Sequence, residues 1–147
     1  MHSKPGHIYA VGGDGGDHSY VERYSAKTDS WEDVASLNTG RFHAGCGVVG
    51  GKLYAFGGFG DAYEELRSME VYDPATNTWS ECPPMKHPRS VMGYGAINNK
   101  IYVCGGESDD ILKGGEVFDV ATQTWSESMP DMITGVRWCG SAVALHY

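Results

Sequence analysis

The stretch RFHAGCGVVGGKLYAFGGFGDAYEELRSMEVYDPATNTWSEC, residues 41–82, decides how this chain folds. It divides into four short runs, at 43–49, 52–56, 69–72 and 79–82. Each run is rich in aromatic or β-branched residues and is bounded by Gly, Pro, Asn or Asp, which is how strands and their turns read. Between the last two runs, Asp73-Pro74-Ala75-Thr76-Asn77 is a turn signal. Proline presets φ there, and asparagine tolerates the left-handed region. No apolar period near 3.6 is sustained in the chain, so no helix is predicted. The four runs are strands A, B, C and D of one unit.

That unit recurs on both sides. Apolar runs ending in a glycine doublet stand at 7–13 (HIYAVGG), 52–58 (KLYAFGG) and 100–106 (KIYVCGG). Each is followed by an alternating run, VERYS at 21–25, MEVYD at 69–73 and EVFDV at 116–120, and then by Trp31, Trp79 or Trp125. The tryptophans are 48 and 46 residues apart. From Trp31 to Gly58 and from Trp79 to Gly106 the distance is 27 residues, whereas each doublet reaches its own Trp after 18, 21 or 19. One half of the repeat is therefore constant, and the other absorbs insertions in a loop on one face.

A glycine doublet, then Glu-x-Tyr/Phe, then Trp, in three copies, resembles the kelch repeat. The likeness is in particular to the propellers of BTB-kelch ubiquitin-ligase adaptors, and it covers nearly the whole of 1–147. It implies an all-β fold of four-stranded antiparallel blades, strand A innermost, with three blades in this chain. Blade 1 is expected at about 7–35, blade 2 at about 42–82 and blade 3 at about 91–128. The chain starts in strand B, and CGSAVAL within 139–145 reads as a further strand A that completes a first blade. Propellers have typically four to eight blades, and an open arc exposes apolar blade faces. The expected assembly is a homodimer with six blades. The third copy departs from the pattern with Val120 where the second has Pro74, and its last connection, MPDMITGVRWCGS, is longer.

Composition bounds the partners. The chain has 147 residues, 41% of them hydrophobic, with 21 Gly, 9 Tyr and 4 Trp. That length can bury a core without a metal or disulfide staple. A formal net charge of −8 argues against nucleic acid, which calls for a basic patch. No run approaches the roughly 20 apolar residues of a membrane helix, and Met1 to Gly6 opens no apolar leader segment. Cys46, Cys82, Cys104 and Cys139 stand far apart and read as small buried residues in a reducing compartment. A cytoplasmic setting is expected, with no cofactor and no metal.

Residues at recurring positions are most simply structural. Gly12, Gly13, Gly57, Gly58, Gly105 and Gly106 permit close packing and unusual backbone angles. Tyr24, Tyr72 and Phe118, with Trp31, Trp79 and Trp125, belong to blade faces. Glu22, Glu70 and Glu116 precede those aromatics by two positions, on the same strand face, and read as carboxylates with a fixed hydrogen-bond partner. Gly45 to Gly50 matches G-x-G-x-x-G, but it lies in a strand that runs into another strand, not at a helix start, so no dinucleotide site is read. Asp14 and Asp17 lack EF-hand spacing.

Because strand direction alternates, the B–C loops (14–19, 59–68, 107–115) and the D–A loops (36–42, 83–90, 130–138) share one face, where function is expected. Arg41 and Arg89 each stand ten residues after their Trp, and Arg137 is read as the third member, displaced by the longer loop. The adaptor resemblance implies that such arginines contact acidic peptides at the channel mouth; a guanidinium fork suits a carboxylate. The other reading is a salt bridge to a loop carboxylate. Phe59, Tyr63 and Trp138 do not recur and are candidate aromatic anchors, with Ser90 and His87 as hydrogen-bonding groups. Glu64-Glu65 and Asp109-Asp110 read as an acidic rim, which opposes an acidic ligand.

The reading that follows is a non-catalytic protein- or peptide-binding propeller module. Its alternative is a self-assembling scaffold, or an engineered or dissected half-propeller with no ligand of its own. Less favoured is an enzyme such as a copper radical oxidase, for which His43, Tyr94 and Cys139 supply residue types but no marking spacing.

Overall fold

The computed structural model describes residues 6–137. It is all β, and its strands form three consecutive antiparallel sheets. The first has three strands, β1 (His7–Val11), β2 (Val21–Ser25) and β3 (Ser30–Asp33). In the second, β4 (Gly45–Val49), β5 (Lys52–Phe56), β6 (Met69–Asp73) and β7 (Thr78–Cys82) pair in chain order. The third repeats that order with β8 (Gly93–Ile97), β9 (Lys100–Cys104), β12 (Gly115–Asp119) and β13 (Thr124–Met129). A two-residue hairpin of β10 (Glu107–Ser108) and β11 (Asp110–Ile111) fills part of the last B–C loop, where the sequence suggested loop alone. The expected strand A at 139–145 lies outside the described residues.

Strand A begins two residues later than the sequence suggested. His43 has φ +51° and Val91, at the same repeat position, has φ +48°. Both are left-handed, which ends the extended run. The Val91 N–H donates to the His43 carbonyl at 3.2 Å and so links two neighbouring strand A starts.

The C–D turns survive the loss of Pro74 in the third copy. Asp73 accepts the Ala75 N–H at 2.9 Å, and Asp119 accepts those of Ala121 and Thr122 at 2.9 and 3.3 Å. Asn77 and Gln123 hold the left-handed position at φ +52° and +55°. The aspartate therefore does the turning and the proline only assists.

Two hydrophobic clusters lie between the sheets, not within one. The first joins Val21 and Leu37 to Leu53, Ala55, Tyr72 and Trp79. The second joins Tyr54, Phe56, Met69 and Met85 to Ile101, Val103, Phe118 and Trp125. Burying both sheet faces is what lets short strands stack as blades.

Candidate functional site

The B–C and D–A loops pair directly, which gathers them on one face. Phe42 and Phe59 exchange backbone hydrogen bonds at 3.0 and 2.8 Å, and Ser90 and Glu107 exchange theirs at 3.1 Å each. The glycine doublets make this approach possible. Gly57 and Gly58 have φ +62° and +86°, and a Cβ on Gly57 would run into the Arg89 carbonyl. The Arg89 carbonyl accepts the Gly58 N–H at 2.7 Å, and the Arg41 and Val136 carbonyls accept those of Gly13 and Gly106 at 3.1 and 2.8 Å.

Beneath that face, Arg41 and Arg89 are enclosed. Arg41 Nη2 donates to Glu70 Oε2 at 3.2 Å, and its Nη1 donates to the carbonyls of Gly57 and Ser68 at 2.9 and 3.1 Å. Arg89 Nε donates to Glu116 Oε2 at 3.1 Å, and its Nη1 to the carbonyls of Gly105 and Gly114 at 3.0 and 2.9 Å. All four side chains are 3% exposed or less. Burial pulls the Arg41 pKa down, while the Glu70 charge opposes that shift. Of the two readings of these arginines, the geometry is that of the internal salt bridge; neither guanidinium is presented to a ligand. The same glutamates also accept backbone N–H groups, Glu70 from Asn38 and Thr39, and Glu116 from Lys86 and His87.

Arg137 is not their counterpart. Strand β13 carries one extra residue opposite β12, so Met129 pairs with Gly115 where Cys82 pairs with Met69. The bulge advances the chain by one residue. Val136, not Arg137, then lends its carbonyl to the glycine doublet. Arg137 instead points outward and donates to Glu107 Oε2 at 2.6 Å.

Phe59 and Arg137 do come together with acidic side chains, and Tyr63 reaches Phe59 through Phe42. Phe59 stacks on Phe42 at 5.4 Å, and Tyr63 meets Phe42 edge-on at 5.3 Å. Tyr63 is 72% exposed, with φ +59°. Phe59, on the other side of Phe42, lines an open groove of about 460 Å³ together with Glu65, Glu107, Asp109, Asp110, Ile111 and Arg137. The Asp109 N–H donates to Glu65 Oε2 at 3.3 Å, and His18 Nδ1 bonds Asp61 Oδ1 at 2.9 Å, so neighbouring B–C loops are tied across blades.

The remaining candidates lie elsewhere. Ser90 is fully buried. His87 Nε2 bonds Glu127 Oε1 at 2.8 Å, away from the groove. Trp138 and Cys139 lie outside the described residues. His43 sits edge-on to Phe42 and Phe59, and Tyr94 edge-on to Phe56. Among the described residues, no group of three or more His, Cys, Asp or Glu is placed to hold a metal ion. Nor does any described helix have the length and apolarity to cross a membrane. The sequence reading missed Phe42, Glu107 and Ile111. Phe42 carried a signal, since it takes the repeat position of Ser90 yet does not match it.

Comparison with known proteins agrees with the repeat. The profile described as "Kelch motif" matches residues 1–38, 40–86 and 88–132. Over 44 residues the chain is 52% identical to Kelch-like protein 5 of Homo sapiens, covering 29% of this chain and 6% of that protein. Over 40 residues it is 50% identical to Kelch-like protein 1 of Mus musculus, covering 27% and 5%. Over 51 residues it is 39% identical to Kelch-like protein 34 of Homo sapiens, covering 35% and 8%. The chain thus matches only a small part of the length of these relatives.

Proposed function

The chain belongs to the kelch-repeat family, and from that premise we propose that it is a protein- or peptide-binding β-propeller module with no catalysis of its own. The binding face is the one formed by the B–C and D–A loops. The observation that carries this reading is the groove that joins Phe59 to Glu65, Asp109 and Asp110, its aromatic wall continuing through Phe42 to the exposed Tyr63. An exposed aromatic rim on a rigid sheet scaffold supplies contact area at small entropic cost. Its ligand is a basic segment with an apolar anchor. The two arginines that would favour an acidic ligand are spent on Glu70 and Glu116, and Arg137 is neutralised by Glu107. A cytosolic setting is part of the same proposal, supported by the dispersed cysteines.

Fluorescence anisotropy with labelled peptides tests this. Peptides rich in Lys or Arg with one aromatic or aliphatic residue should bind, and binding should weaken as salt rises. Tyr63→Ala should weaken it about tenfold, an anchor loss of about 1.4 kcal/mol, and Asp110→Lys should weaken it as well. Equal binding of acidic peptides, or indifference to both substitutions, would overturn the choice of ligand.

A further inference from the structure

Each junction between neighbouring blades uses the same contacts. The indole of the following blade donates to a carbonyl before it: Trp79 Nε1 to Ala35 O and Trp125 Nε1 to Pro83 O, both at 2.8 Å. The following blade's glutamate accepts two successive N–H groups, as described for Glu70 and Glu116. Its strand B aliphatic is covered, Leu53 being 5% exposed and Ile101 fully buried.

At the two ends of the described arc these contacts are left open. In blade 1 the corresponding residues are Trp31, Glu22 and Ile8. Trp31 is 51% exposed and Ile8 63%. Glu22 accepts only a long 3.4 Å bond from the Tyr20 hydroxyl among the described residues. Yet blade 1 is built for the junction: Tyr24 and Trp31 pack at 5.4 Å and 48°, as Tyr72 and Trp79 do at 5.2 Å and 41°. At the far end, Pro130 occupies the carbonyl position of Ala35 and Pro83, once the bulge in β13 is counted. Ile133 and Thr134 likewise occupy the positions of the two N–H donors.

We propose that a second copy of this chain occupies both open faces. Trp31 of each copy donates to the Pro130 carbonyl of the other, and Glu22 accepts the N–H groups of Ile133 and Thr134. The same interface is already present twice inside the chain, and each copy carries both complementary halves. Two such junctions related by a two-fold axis close a ring, with six blades, inside the usual range of four to eight. The junction between copies differs from the internal ones in one respect. Val136 stands where Arg41 and Arg89 stand, so no guanidinium meets Glu22, and the pair separates on dilution. This pairing is independent of the peptide groove; either can fail alone.

Sedimentation velocity across a concentration series tests it. The chain should pass from one copy to two. Ile8→Asp, at a side chain exposed in the free chain whose counterparts Leu53 and Ile101 are covered at the internal junctions, should weaken the pairing at least ~30-fold, the size of a hot-spot loss, without altering the circular dichroism spectrum. Trp31→Ala should do the same. Val136→Arg should tighten pairing by ~10-fold, the scale of a charge-assisted bond, and Glu22→Gln in that background should remove the gain. A single copy at every concentration, Val136→Arg included, would overturn the proposal; so would a dimer indifferent to Ile8→Asp, which must use another surface.

Discussion

Arg41 and Glu70 show how one residue pair organises a connection. The guanidinium ties the second blade's own glycine and serine carbonyls to the carboxylate, and the carboxylate holds the loop arriving from the first blade. Removing one partner strands the other charge away from water, which costs far more than the pair contributes. Glu70→Ala should therefore destabilise the chain by about 3–5 kcal/mol, read as a fall in the urea midpoint at unchanged slope. An unchanged midpoint would mean that water reaches Arg41. The glutamate was legible as a partnered carboxylate because it recurs at a fixed offset from an aromatic. Which group partnered it was not, since Arg41 and Glu70 are 29 residues apart and meet only across a blade junction. The identity of the third repeat residue was hidden for a different reason. A one-residue bulge shifts Val136 into the arginine position, and spacing cannot say where in a long loop the extra residue sits.

At the scale of elements, period-2 runs and turn residues identified the main strands among the described residues. What they missed was the start of strand A, where His43 and Val91 turn left-handed. Nothing in a β-branched valine announces such a turn, because the surrounding contacts impose it. The glycine doublets were legible, and their geometry yields a prediction. Gly57 combines φ +62° with a backbone carbonyl where a Cβ would lie. Gly57→Ala should cost more than the roughly 1 kcal/mol of a left-handed alanine alone, because the loop from 83 to 90 must also move away. Thermal unfolding of that variant beside Gly51→Ala separates the two effects. Gly51 is also left-handed, at φ +76°, but nothing lies within reach of its Cβ. Equal losses would mean that the close approach to Arg89 is unimportant.

For the whole molecule, the repeat made the architecture legible before any coordinate, because three copies of one pattern constrain the stacking as well as the strands. The proposed ligand face was only half legible. Strand alternation gathers the B–C and D–A loops, and their backbones pair as expected, but the charge of that side depended on which arginines the fold consumes. With Arg41 and Arg89 enclosed, acids predominate in the B–C loops, where Asp14, Asp17, Asp61, Glu64, Glu65, Glu107, Asp109 and Asp110 stand against Arg67 and Lys113, in keeping with a formal charge of −8. One junction is repeated along the chain and, in the assembly proposed above, completed by a second copy. Hydrogen exchange of the tryptophan indole N–H groups, followed by NMR and assigned by single Trp→Phe substitutions, tests that most directly. Trp79 and Trp125 should be protected at every concentration, while Trp31 should be protected in concentrated solution and lose protection on dilution. Rapid exchange of Trp31 at all concentrations, or exchange of Trp79 and Trp125 as fast as Trp31, would contradict it.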